Sequence, residues 1–287
     1  MYDVASGNLL KTLLSQSAFV DSLVFSPDGK KLAAGLSDGT IQLWDVLSGN
    51  SVRTLAGHQF YVLDLAYSPD GRILVSASDD KTIKAWAIEN GSLISTITEK
   101  QPVQQISFTN DGEELIVRLG LSFESETLIE ASIKNYKVPG WTLLRERSIS
   151  GLGDIFGAYY IPSNDNDDAI FSAIDIGSDD EGKDISNSIV GYSRNEGPIP
   201  VKGRVYNVAI ANDGKQLYYT LDNDIIVFDT ASKKEIKRLS HDNVVSLLYN
   251  SVGNIIISSS SDYVVKIWNA NTLNNIKTII IKPKSDP

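Results

Sequence analysis

Two sets of residues in this 287-residue sequence carry the side-chain types of a hydrolase triad: His58 with Ser76 and Asp80, and His241 with Ser258 and Asp262. An imidazole set between a carboxylate and a hydroxyl can take the hydroxyl proton and so make a nucleophile. His58 and His241 are the only histidines, so any histidine-based acid–base pair or metal site must use them. The absence of cysteine excludes disulfides, thiolate metal sites and cysteine nucleophiles. Gly35-Leu36-Ser37-Asp38-Gly39 fits the nucleophile-elbow pattern by letter. That pattern acts at a strand-to-helix turn, however, and here it lies between two strand-like runs. The segment from Ser163 to Asp184 holds eight acids, Asp165, Asp167, Asp168, Asp175, Asp179, Asp180, Glu181 and Asp184, against one lysine. Oxygen-rich loops bind hard cations, but the glycine and closing glutamate of a calcium loop are out of place here, and a solvated hairpin tip is expected. Asn90-Gly91-Ser92 is a single glycosylation sequon on a turn. No phosphate loop, zinc spacing or dinucleotide fingerprint is present. The expectation is therefore no catalytic residue, no metal and no cofactor.

The elements that position these residues repeat. Val20-Asp21-Ser22-Leu23-Val24-Phe25-Ser26-Pro27-Asp28-Gly29 aligns with Val62-Leu63-Asp64-Leu65-Ala66-Tyr67-Ser68-Pro69-Asp70-Gly71 at an offset of 42. The alignment continues from Asp38–Trp44 into Asp80–Trp86, and the pattern returns at Asp222–Phe228 and Asp262–Trp268. Each unit reads as short strands rich in β-branched and aromatic residues, divided by proline and glycine turns. Four antiparallel strands in about 40 residues is the signature of a propeller blade.

With 42% hydrophobic and 22% charged residues the chain can bury a sizeable core. It has no apolar run long enough to span a membrane as a helix. Its net charge of −10 argues against nucleic acid as a partner, because an acidic surface repels a phosphate backbone.

The sequence resembles the WD-repeat β-propeller family, on the dipeptide Trp44-Asp45, its variants Phe228-Asp229 and Trp268-Asn269, and Gly57-His58. The resemblance is strong over 17–98 and 203–282 and weak over 99–202. It implies a structural tetrad, in which a loop histidine, a strand serine or threonine, a turn aspartate and a tryptophan are hydrogen-bonded. In the second unit these are His58, Ser76, Asp80 and Trp86; in the last they are His241, Ser258, Asp262 and Trp268, with a histidine loop one residue shorter. The first unit keeps Asp38 and Trp44 but has Gln16 and Ala34 at the other two places. The fifth keeps only Asp222, with Tyr218 and Phe228, so apolar packing is expected to replace its network. Read this way, both triad-like sets are structural.

The expected fold is an all-β propeller of four-stranded antiparallel blades. Tyr2-Asp3-Val4-Ala5-Ser6-Gly7-Asn8 aligns with Trp44-Asp45-Val46-Leu47-Ser48-Gly49-Asn50, so the sequence begins inside a third strand. Seven blades are expected in one domain over 1–287: a partial blade at 1–15, then 16–57, 58–100, 101–149, 150–202, 203–240 and 241–282. Six blades are the alternative. An amino-terminal truncation, or a module of a longer chain, is also expected.

With catalysis set aside, binding remains. The residue before each inner strand is Phe19, Tyr61, Pro102, Asp154, Arg204 or Asn243, so equivalent backbone positions carry unlike side chains. Aromatic and arginine side chains are favoured anchors for proteins and peptides. Phe19, Phe60, Tyr61, Arg204 and Tyr263 are the expected partner contacts. The function expected is a non-catalytic protein–protein interaction scaffold, located in the cytoplasm. The alternative is an extracytoplasmic propeller that binds a small ligand or glycan, with calcium at the acidic insert.

Overall fold

A computed structural model describes residues 1, 3, 6, 8–13, 18–109, 111–119, 129–151, 155–161, 169–174, 188–192, 199–201, 205, 207–211, 214–221, 223–250 and 253–281. The chain divides into two compact units, Lys11–Gly151 and Met1–Leu10 with Leu152–Pro287.

The Lys11–Gly151 unit holds three antiparallel sheets. The first is β1 (Val20–Phe25), β2 (Lys31–Leu36), β3 (Thr40–Asp45) and β4 (Ser51–Ala56). The second is β5 (Val62–Tyr67), β6 (Ile73–Ser78), β7 (Thr82–Ala87) and β8 (Leu93–Thr98). The third is β9 (Val103–Phe108), β10 (Glu114–Leu119), β11 (Ile129–Lys137) and β12 (Thr142–Gly151). The other unit holds β13 (Ile155–Ile161), β14 (Ala169–Ile174), β15 (Ser188–Tyr192) and β16 (Ile199–Pro200), then β17 (Val208–Ile210), β18 (Gln216–Leu221), β19 (Asp224–Asp229) and β20 (Lys234–Ser240). It ends with β21 (Val244–Asn250), β22 (Ile255–Ser260), β23 (Val264–Asn269) and β24 (Asn275–Ile280). In every sheet consecutive strands are neighbours, so each is an up-and-down meander of the kind that makes a propeller blade.

Five of these sheets are complete blades. In the sixth, β13–β16, the last strand is two residues long and pairs with β15 at two positions only. Both sequence-based counts, seven and six, are therefore corrected. Residues 1–15 contribute no strand among the described residues. They do form a turn: the Asp3 N–H bonds to Asn8 O at 2.9 Å and the Ser6 N–H to Asp3 Oδ1 at 2.6 Å. The same bonds close the turn of the first blade, Asp45 N–H to Asn50 O at 3.0 Å and Ser48 N–H to Asp45 Oδ1 at 2.7 Å. A repeated turn was legible at the amino terminus, and the strands it would join are not among those described.

Burial explains the strand order. In β2 and β3 most residues are buried, because both faces of a blade's middle strands are covered. In the outer strand β4 only Leu55 is buried, and the polar alternation there meets solvent. The cores lie between blades. Ile41, Leu43 and Leu55 of the first blade pack with Val62, Leu65, Tyr67, Leu74 and Trp86 of the second. Val75, Ile83 and Ala85 of the second pack with Val103, Ile106, Leu115 and Tyr136 of the third. In the other unit Tyr218, Ile225 and Val227 pack with Leu247, Ile256 and Trp268.

One irregularity recurs. The pairing of third with fourth strand slips at Trp44, Trp86, Tyr136, Phe228 and Trp268. A bulge there increases the local twist and re-aims the large ring. The aromatic position of the repeat is thus a backbone feature as well as a packing one.

Candidate functional site

The second blade assembles the whole expected network. Trp86 donates its Nε1–H to Ser76 Oγ at 2.9 Å, and Ser76 Oγ lies 2.7 Å from His58 Nε2. His58 Nδ1 lies 2.9 Å from Asp80 Oδ2, which also accepts the Gln59 N–H at 2.9 Å. Thr82 donates to Asp80 Oδ1 through both its N–H (2.8 Å) and its hydroxyl (2.5 Å). Burial pushes the His58 pKa below its ordinary value, although Asp80 opposes this. The imidazole is therefore neutral at pH 7, donating from Nδ1 to Asp80 and accepting from Ser76 at Nε2. Burial raises the Asp80 pKa, but the bonds from Thr82, Gln59 and His58 outweigh it and hold the carboxyl at about 2.

Chemically this is a carboxylate–imidazole–hydroxyl relay. Ser76 is fully buried, however, and its oxygen is occupied by the indole N–H. A nucleophile needs an open approach and an oxyanion donor, and Ser76 has no approach. The Gly35–Gly39 pattern joins two strands, β2 and β3, as its flanking runs imply.

The last blade assembles only part of its set. Trp268 Nε1–H donates to Ser258 Oγ at 3.0 Å, and Ser258 Oγ lies 2.6 Å from His241, here from Nδ1. Asp262 is not brought to the imidazole; it accepts from Asn243 Nδ2 at 2.9 Å. His241 Nε2 is buried with no hydrogen-bond partner. The shorter histidine loop presents a different ring nitrogen to the serine, and burial together with Lys266 lowers the His241 pKa.

In the first blade Ala34, Leu36 and Trp44 form an apolar cluster, with Leu13 and Ala18 packed against it. Gln16 and Asp222 lie outside the described residues. In the fifth blade the register pairs Leu217 with Phe228, as Leu74 pairs with Trp86. Tyr219, not Tyr218, therefore stands at the serine position, and its ring lies 6.4 Å from Phe228. Tyr218 is fully buried and stacks on Tyr249 at 5.8 Å.

The third blade holds a network that sequence reasoning missed. Glu99 precedes Val103 by four residues, as His58 precedes Val62, and Tyr136 pairs with Leu115 as Trp86 pairs with Leu74. Glu99 is buried, accepts the Tyr136 hydroxyl, and receives Lys134 Nζ at 2.7 Å. Lys134 also stands 3.6 Å from Glu146, which accepts from Ser132 Oγ at 2.9 Å. Burial and the Glu99 bond push the Tyr136 pKa up.

A second missed device links neighbouring repeats through basic side chains, two of them, Arg53 and Lys237, on a fourth strand. Lys11 Nζ donates to Leu47 O at 2.6 Å, Arg53 Nη1 donates to Asn90 O, and Lys237 Nζ donates to Leu273 O at 3.0 Å. The 42-residue offset from Lys11 to Arg53 was visible in the sequence.

Of the expected partner contacts, Phe19, Phe60 and Tyr61 share one edge of the Lys11–Gly151 unit. Phe19 and Ser37 exchange bonds, N–H to Oγ and O from N–H, both at 3.0 Å. The Asp79 N–H bonds to Tyr61 O at 3.1 Å, and Ser78 Oγ to Phe60 O at 3.3 Å. The turn at Gly39 (φ +83°) closes against the next loop so tightly that a Cβ there would stand 2.5 Å from His58 O and 3.2 Å from Phe60 O. These backbone ties leave the three rings exposed, Phe19 at 82%. Tyr263 is exposed in the other unit, at φ +62° in the β22–β23 turn. Arg204 and Asp154 lie outside the described residues, as does the acidic insert except for Ala169–Ile174. Trp141 packs against the core of the second and third blades. A cleft of about 350 Å³ between the Ser26–Asp28 and Pro69–Gly71 turns has carboxylates already bonded to Ser26 and Ser68. Among the described residues there is no cluster of three or more metal-ligating acids and histidines, and no helix long and apolar enough to cross a membrane.

The four-stranded meanders and the tetrad define an all-β propeller class. The family model described as "WD domain, G-beta repeat" matches residues 7–45, 49–87 and 233–269, so the chain carries WD repeats at these three positions. No curated protein matches it. A solved structure described as "Structure of U3-55K" is similar in fold, with a TM-score of 0.71 at 17% identity, over 94% of this chain and 84% of that one. WD propellers are generally protein-interaction scaffolds.

Proposed function

We propose that this protein is a non-catalytic interaction scaffold and that the edge bearing Phe19, Phe60 and Tyr61 receives a protein or peptide partner. The observation that carries the reading is the exposure of three large rings on a backbone fixed by repeated hydrogen bonds. Rings held in this way bury much area at little entropic cost when a partner covers them. Exposed Asp21 and Asp38 lie on the same strands and turns, so a basic partner fits best.

The test is capture by the immobilised chain, compared with the double variant Phe19→Ala/Tyr61→Ala, whose folding is checked by circular dichroism. The expected result is a partner retained by the wild type, lost by the folded variant, and weakened between low and high salt. Equal retention by both would refute the assignment of this edge.

A further inference from the structure

Asn90-Gly91 is the only Asn-Gly dipeptide in the chain, and Asn90 is exposed in the turn between β7 and β8. An asparagine before a glycine is open to attack on its own side-chain amide, because no side chain on the next residue shields the backbone nitrogen. The Gly91 nitrogen bonds to Asn90 Cγ, the Cγ–Nδ2 bond breaks, and Nδ2 leaves as ammonia with the Gly91 proton. Water then opens the cyclic imide at either carbonyl and leaves aspartate or isoaspartate in place of the asparagine. Water is the only co-reactant.

The folded turn opposes this step at each reacting group. The Gly91 N–H is held by Ala87 O at 2.7 Å, and Asn90 Oδ1 accepts the Ser92 N–H at 2.9 Å. Both bonds must break before the nitrogen can reach Cγ. A further restraint comes from the preceding blade. Arg53 Nη1 donates to Asn90 O, and Arg53 Nη2 lies 3.5 Å from Glu89 O. The arginine stem lies over Gly91, where a Cβ would stand 2.5 Å from Arg53 Cδ.

The first blade builds the same turn without the amide. Ser48 stands before Gly49 as Asn90 stands before Gly91, and its Oγ accepts the Asn50 N–H as Asn90 Oδ1 accepts that of Ser92. The Gly49 N–H bonds to Asp45 O at 2.8 Å, and Lys11 covers Gly49 as Arg53 covers Gly91. Of these two turns only the second carries a group that can react. We infer that Asn90 is a site of spontaneous deamidation, and that Arg53 guards it from the neighbouring blade by holding the turn closed. The reaction runs through local opening of the turn. Isoaspartate adds an atom to the main chain between residues 90 and 91, so the Ala87 and Arg53 bonds cannot both re-form.

The test incubates the folded protein and a synthetic peptide of residues 85–96 in mildly alkaline buffer, and reads Asn90 by peptide mass spectrometry. Arg53→Met, Arg53→Lys and Gly39→Ala are run beside the wild type, each checked for folding by circular dichroism. Conversion in the wild type should be slower than in the peptide by roughly tenfold or more, because the open turn is a minor population. Arg53→Met should speed conversion by roughly threefold or more. Arg53→Lys should stay near the wild type, since Lys11 and Lys237 reach turn carbonyls in the same way. Gly39→Ala weakens the fold from the other end of β3 and should speed conversion less than Arg53→Met. Wild-type conversion as fast as the peptide's, or no acceleration by Arg53→Met, would overturn the inference. Equal acceleration by Arg53→Met and Gly39→Ala would mean general destabilisation and overturn it too.

Discussion

Trp86 and Ser76 stand on adjacent strands and share one hydrogen bond of 2.9 Å, and through it a core aromatic is tied to a polar relay. Ser76 Oγ can donate only once, and it gives that proton to His58 Nε2 while accepting from the indole. The neutral imidazole and the Asp80 carboxylate complete a chain in which each buried polar atom has a partner. The residues of a hydrolase relay here fasten the loop before a blade to its second and third strands.

Ser76→Ala should therefore cost about 2–4 kcal/mol, since it leaves both the Trp86 N–H and His58 Nε2 buried without partners. Asp262→Ala should cost less than about 1 kcal/mol, because Asp262 bonds only to Asn243 on an exposed turn. Urea denaturation of the two variants checks the contrast. Equal losses would mean that the last blade has a tetrad like the second.

Asp64 gives a pH dependence of known sign. Burial raises its pKa from 3.8 to about 6, against the bonds it accepts from the Ile106 and Leu65 N–H groups and the charge of Arg118. The folded state thus holds the proton more tightly than the unfolded one. The stabilisation is complete below the unfolded pKa and is lost as pH rises through about 6, a change of roughly 3 kcal/mol. His58 has the opposite slope, because its folded pKa is lowered and acid below about pH 6.5 favours the unfolded chain. Comparing wild type with Asp64→Asn separates the two. The wild type should gain on the variant by that amount between pH 7.5 and 4, measured by Tm. A constant difference would show that Asp64 is not buried as described.

Blade architecture, the tetrad of the second blade and the Trp268–Ser258–His241 part of the last were readable because turn and aromatic residues recur at fixed spacing. The network of the third blade was not, because both diagnostic types change: glutamate replaces histidine at 99 and tyrosine replaces tryptophan at 136, while the chain between β10 and β11 lengthens. Tyr218 was misplaced by one residue because neighbouring tyrosines look alike in sequence, and only the pairing of Leu217 with Phe228 fixes which of them stands at the serine position. The seventh blade was inferred from the alignment of Tyr2–Asn8 with Trp44–Asn50, and among the described residues only the turn of that segment is present.

Gly39 and Gly29 separate backbone strain from close approach. Both have positive φ, +83° and +68°, but a Cβ at Gly39 meets His58 O at 2.5 Å and one at Gly29 meets nothing within 4 Å. Gly29→Ala should cost about 1 kcal/mol from conformation alone. Gly39→Ala should cost at least about 2 kcal/mol more, because the two loops must move apart. Thermal melts of the pair decide, and similar Tm losses would contradict the tight loop contact beside Phe60.

The Glu99 network makes the sharpest demand on energetics. Lys134 is the cation that neutralises a carboxylate only 3% exposed, and the Tyr136 hydroxyl supplies a neutral bond to the same group. Lys134→Met removes the charge and keeps most of the packing, so it should cost about 3–5 kcal/mol, the effect of stranding a buried carboxylate. Tyr136→Phe should cost only about 1–2 kcal/mol, since Lys134 still satisfies Glu99. The double variant Lys134→Met/Glu99→Gln should recover much of the first loss, because a neutral amide tolerates burial better than an unpaired charge. Urea midpoints for the three variants test this order. If Lys134→Met alone is mild, the third blade is held by apolar packing in place of this network.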